Sequence, residues 1–167
     1  MTSATEKIVE TPGPEATRAV GRALGERLRP GDVVALVGTL GAGKTVFAKG
    51  VALGVGVDPS DVVTSPTFVL IGEYEGRCPL YHVDAYRMTR PADFEALGAD
   101  EILFGDGVCL IEWADRVALL LPAERLDVNF AVSGEGTRRL TFRGAGEGWQ
   151  GRMPAIAAAL DDVLRAS

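Results

Sequence analysis

Between the apolar run Val33-Val34-Ala35-Leu36-Val37 and a segment of helical character stands Gly38-Thr39-Leu40-Gly41-Ala42-Gly43-Lys44-Thr45. No other feature constrains the fold as much. In the pattern Gly-x-x-x-x-Gly-Lys-Thr, the glycines let successive backbone N–H groups turn inward and converge on one point. A helix leaving the loop adds the partial positive charge of its N-terminus there. A strand that enters and a helix that leaves are the context in which such a loop cradles phosphate oxygens. Gly38, Leu40, Gly41, Ala42, Gly43, Lys44 and Thr45 are therefore nucleotide-binding candidates. Lys44 is expected to reach the β- and γ-phosphates, and the Thr45 hydroxyl to ligate Mg²⁺.

The rest of the chain supplies the fold that such a loop requires. Lys7-Ile8-Val9 reads as a short strand, and Ala16, Ala19, Val20, Ala23, Leu24 and Leu28 recur at helical spacing over Glu15 to Arg29. Asp32 to Val37 reads as a strand buried on both faces, as parallel sheets require. The spacing predicts a helix from Lys44 to Val55 and strands at Pro66–Tyr74, Leu80–Val83 and Val108–Ile111. Pro91 opens a helix to Leu97. Leu126–Val132 and Arg139–Phe142 read as a hairpin closing the sheet through Gly134 and Gly136. A last helix is expected from Pro154 to Arg165. Alternating strands and helices give a three-layer α/β fold of P-loop NTPase type, its mixed, mostly parallel sheet flanked by helices. Its 167 residues suit one domain, 1–167, with 144–167 as a helical extension.

A phosphate-binding loop needs an acid at the end of a neighbouring strand to hold Mg²⁺ or its water. Asp84 follows Leu80-Tyr81-His82-Val83, and Glu112 follows Val108-Cys109-Leu110-Ile111. Both lie where ligands bind in open α/β sheets, at strand carboxyl ends. Thr64-Ser65-Pro66-Thr67-Phe68 reads as a switch segment: Pro66 forces Ser65 into an extended conformation. Ser65 and Thr67 would then present hydroxyls near the γ-phosphate, although an ordinary turn into a strand fits equally. His82 reads as a hydrogen-bonded structural residue, and Trp113 as a packing residue, with nucleotide contact as the alternative.

The net charge of −6 argues against unaided grip on a phosphate backbone. The apolar runs are too short to cross a bilayer, and the N-terminus lacks an apolar signal region, so a cytoplasmic location is expected. Cys78 and Cys109 follow no metal-ligand spacing and read as free thiols.

Taken in order, Gly38-Thr39-Leu40-Gly41-Ala42-Gly43-Lys44-Thr45, Ser65-Pro66-Thr67-Phe68, His82-Val83-Asp84-Ala85-Tyr86-Arg87 and Ile111-Glu112-Trp113 resemble the TsaE (YjeE) family. The likeness runs from Lys7 to Phe142. It implies a bacterial ATPase that takes ATP and Mg²⁺ and serves the tRNA modification N6-threonylcarbamoyladenosine (t6A37). Its partners would be TsaB and TsaD, with tRNA met only through them and no membrane. Lys44, Asp84 and Glu112 would be catalytic, Thr45 and Glu112 would ligate Mg²⁺, and Asp84 would orient a water. The base would lie near Thr11 and Gly136. Thr39 stands where the family often has Asp.

A P-loop small-molecule kinase has the same loop, but would need an acceptor site and a lid; Arg87 and Arg90 are its candidate lid arginines. A nucleotide-controlled binding module without useful catalysis is a second alternative. A GTPase is disfavoured, because neither Asn-Lys-x-Asp nor Asp-x-x-Gly occurs in the chain.

Overall fold

The computed structural model describes residues 6–39, 41–61 and 71–166. Seven strands form one sheet: β1 (Glu6–Thr11), β2 (Val33–Gly38), β3 (Ile71–Glu75), β4 (Pro79–Asp84), β5 (Val108–Glu112), β6 (Arg125–Val132) and β7 (Arg138–Ala145). The helices are α1 (Pro14–Gly25), α2 (Lys44–Val55), α3 (Pro91–Glu95), α4 (Ala99–Leu103) and α5 (Glu147–Ala166). A 3₁₀ segment spans Ala114–Leu120.

The strand order is β1-β7-β6-β2-β5-β4-β3. Strands β6, β2, β5 and β4 pair in parallel, and the β1–β7, β7–β6 and β4–β3 pairs are antiparallel. Only β7 and β3 therefore run against the other strands. Alternation along β2 divides the core. Val34 and Leu36 join Leu24, Phe47, Trp149 and Leu160 from α1, α2 and α5. Val33 and Ala35 join Phe94, Ile102 and Val117 from α3, α4 and the 3₁₀ segment. The sheet is thus covered on both faces, which explains the continuous apolar runs of β2 and β5.

Helices α1 and α2 pack backbone to backbone. A Cβ at Gly21 would stand 2.3 Å from the Phe47 carbonyl oxygen, and one at Gly50 only 2.1 Å from that of Arg18. Gly25 and Gly54 make the same close approach one turn further on. This seam fixes α2, and with it the loop at its N-terminus.

Several of these expectations change. The β6–β7 hairpin does not close the sheet, because β1 pairs with β7 and takes the edge. The last helix begins at Glu147, with Pro154 in its interior. Burial of Trp149 and Met153 outweighs the poor propensity of Gly148, Gly151 and Pro154. The carbonyl that the proline ring leaves unpaired, at Gln150, belongs to a solvent-exposed residue. Residues 144 and 145 still belong to β7, so the helical extension starts later than expected. The helix at Pro91 stops at Glu95, and Gly98, with φ +90°, turns the chain into the separate α4. Of the strand expected over Pro66–Tyr74, Ile71–Glu75 is β3, and residues 66–70 lie outside the described residues.

Candidate nucleotide-binding site

The chain leaves β2 at Gly38 pressed against β6: a Cβ there would meet the Phe130 carbonyl oxygen at 2.8 Å. Gly41 and Gly43 then adopt φ of +79° and +100°, a region that favours glycine. Gly43 is the N-cap of α2. It has no side chain to cap the helix, and the first turn of α2 carries no acidic residue. The N–H groups of that turn are therefore left without a side-chain acceptor from the helix itself.

Lys44 is buried, and its ammonium donates to the carbonyl oxygens of Gly38 at 2.5 Å and Thr39 at 2.9 Å. The same group lies 3.9 Å from the centre of the Trp113 ring. Burial lowers the lysine pKa, opposed by the nearby charges of Glu112, Asp115 and Asp84. Trp113 has φ +59°, alone among the described non-glycine residues in being positive, and Tyr86 packs on it with ring centres 4.9 Å apart.

Glu112, the last residue of β5, is buried rather than the first exposed residue after the strand. The Thr45 hydroxyl donates to its Oε1 at 3.0 Å. A carboxylate only accepts, so His82 donates from Nε2 to Oε2, at 2.5 Å. Asp84 ends β4 directly opposite Glu112 in the register, and its Oδ1 accepts the Tyr86 N–H at 3.0 Å.

A cavity of about 220 Å³ is lined by Gly41 to Val46, Glu112 and Trp113. A second, of about 180 Å³, shares Gly41, Gly43 and Val46 with it and continues to Pro14, Thr17, Gly136 and Arg138. Gly136 thus faces the same cleft. Thr11 is fully buried, its hydroxyl 2.6 Å from that of Thr17. Leu40, Ser65 and Thr67 lie outside the described residues.

One participant lies outside what the sequence singles out. Arg138 donates from Nη2 to the Gly41 carbonyl oxygen at 3.1 Å, tying the end of β7 to the loop. His82 is the hydrogen-bonded residue expected, while the identity of its partner, Glu112, depends on a cross-strand register that local pattern does not reveal.

Among the described residues no cluster of three or more His, Cys, Asp or Glu side chains is arranged to hold a metal. The Thr45 hydroxyl beside one Glu112 carboxylate is instead a small set of hard oxygen donors. That set fits Mg²⁺, which takes one or two protein ligands and fills its remaining positions with phosphate oxygens and water.

The model of the family described as threonylcarbamoyl adenosine biosynthesis protein TsaE matches residues 11–140. The chain belongs to the TsaE family. The tRNA threonylcarbamoyladenosine biosynthesis protein TsaE of Bacillus subtilis is 45% identical over 141 residues, covering 84% of this chain and 87% of that one. Its counterpart of the same name in Treponema pallidum is 46% identical over 121 residues, covering 72% and 88%. The crystal structure of Bacillus subtilis YdiB superposes with a TM-score of 0.74 at 38% identity, over 94% of this chain and 95% of that one. The family match contains the loop, His82, Asp84, Glu112 and Arg138, and ends before α5.

Both cysteines are buried free thiols, and burial pushes the Cys109 thiol pKa far up. No helix among the described residues is long and apolar enough to cross a membrane.

Proposed function

We propose that this chain is the ATP-binding and ATP-hydrolysing subunit of the machinery that makes threonylcarbamoyladenosine in tRNA. It acts in the cytoplasm with TsaB and TsaD homologues to support their turnover. One observation carries the reading: in a chain of the TsaE family, Lys44, Thr45 and Glu112 converge beneath a glycine loop at an uncapped helix N-terminus.

The residues divide the work. The loop N–H groups and the start of α2 hold phosphate oxygens, and Lys44 exchanges its loop carbonyls for them. Thr45 and Glu112 hold Mg²⁺, which when bound offsets the charge of the phosphates. Asp84, beside Glu112 at the strand ends, orients the attacking water. The base lies in the cleft toward Gly136, and Ser65 and Thr67 act as the switch. The acidic net charge of −6 suits a subunit that meets tRNA only through its partners. Arg90, a candidate kinase-lid arginine, lies 3.6 Å from Asp93 of its own short helix.

The test is ATP hydrolysis by the purified protein, alone and with the TsaB–TsaD pair from the same source. Slow turnover alone and marked stimulation by the pair are expected. Nucleotide binding with neither stimulation nor association would overturn the pathway assignment and leave a P-loop protein of other purpose.

A further inference from the structure

Glu112 has a problem that its strand cannot solve. It ends a five-residue strand that is buried throughout, and a carboxylate in such surroundings needs donor partners for both oxygens. Thr45 serves Oε1 at 3.0 Å, and His82 serves Oε2 at 2.5 Å. The ring reaches diagonally across the sheet: His82 stands opposite Leu110 in the register, two residues short of Glu112. His82 is itself only 8% exposed.

A competitor sits close by. Glu112 is the strongest of the negative charges acting on Lys44, yet no ion pair joins the two among the described residues. Lys44 instead keeps to the loop carbonyls and the face of Trp113. A carboxylate free to turn would gain by swinging an oxygen onto that ammonium. It would then leave Thr45 and tie up the lysine that phosphate needs.

We propose that His82 is a positioning residue: by holding Oε2 it presents Oε1, beside Thr45, as the single oxygen offered to the metal, and keeps Glu112 off Lys44. The inference rests on the ATP·Mg²⁺ reading of this site. A histidine that merely filled the core would affect folding alone. A positioning histidine affects metal affinity separately from nucleotide affinity.

The experiment titrates Mn²⁺ into the protein with and without ADP, following free Mn²⁺ by electron paramagnetic resonance, and measures metal-free ADP binding by calorimetry. His82→Leu should weaken Mn²⁺ binding in the ADP complex roughly tenfold or more, with metal-free ADP affinity changed by no more than about twofold. His82→Gln, whose amide can donate to Oε2, should recover Mn²⁺ affinity to within about threefold of the wild type. Should the leucine variant not fold, His82→Asn, polar but too short to reach Glu112, takes its place with the same expectation. Unchanged Mn²⁺ affinity in the non-reaching variant would overturn the proposal. Wild-type protein that binds Mn²⁺ no better with ADP than without would instead overturn the reading on which it rests.

Discussion

The two ends of α2 are built on opposite plans. At the C-terminus every one of the last four carbonyl groups is satisfied. Gly56, at φ +98°, donates to Ala52 and Leu53, and Val57 also donates to Ala52. The Arg77 N–H donates to Val55, and its guanidinium donates to Gly54 at 2.7 Å. The same guanidinium reaches across to Gly25 at 2.7 Å and Leu28 at 2.6 Å, binding the ends of α1 and α2 to the β3–β4 turn. At the N-terminus, by contrast, Gly43 offers no side chain, the first turn has no acid of its own, and the loop opens on a cavity. A capping side chain in place of glycine is commonly worth roughly a few tenths of a kcal/mol, and this helix forgoes it at one end while the other is fully tied. A helix end left open inside a well-satisfied fold is where a ligand supplies the missing partner.

Substitutions at each end should separate function from stability. The largest effect is expected from Lys44→Ala: ATP turnover should fall on the order of a thousandfold while thermal melting barely moves. Next is Gly54→Ala, at the seam beneath the sealed end. Its Cβ would stand 2.2 Å from the Arg22 carbonyl oxygen and 2.8 Å from Gly25 Cα, backbone atoms that cannot step aside. Denaturant unfolding should show a loss of about 2 kcal/mol, overpacking outweighing the helical gain of alanine. Arg77→Met should cost about 1.5 kcal/mol, discounted because the residue is exposed, and leave nucleotide affinity unchanged. If Arg77→Met crippled turnover as Lys44→Ala does, the division between the ends would fail. The smallest effect is expected from Arg138→Ala, which frees the Gly41 carbonyl and should weaken ATP binding about threefold by calorimetry.

Local chemistry was the legible part of the chain. The bounds of α2, Lys44 to Val55, follow from the loop before it and Gly56 after it, and β5 is an apolar run with an acid at its end. What escaped notice depends on partners distant in sequence. Gly21, Gly25, Gly50 and Gly54 look like weak helix positions until the two helices are brought together. Arg77 and Arg138 look like solvent-facing charges until the carbonyls they serve are in place. Asp32, expected to open a strand, lies just before β2 and takes the Arg152 guanidinium from α5 on both oxygens at 2.8 Å. That ion pair spans 120 residues of sequence, beyond the reach of any periodicity. The start of α5 was missed for a related reason. Pro154 reads as the start of the helix, and only burial of Trp149 against the sheet makes the glycine-containing turns before it helical.

The central claim is that the open end of α2 is the phosphate site. Backbone amide NMR on isotope-labelled protein, titrated with ATP and Mg²⁺, addresses it directly. The amides of Gly41, Gly43, Lys44 and Thr45 should shift strongly on binding, while those of Gly56, Val57 and Arg77, at the sealed end, hold still. Saturable ATP binding that moved other amides and left the loop unshifted would contradict the account.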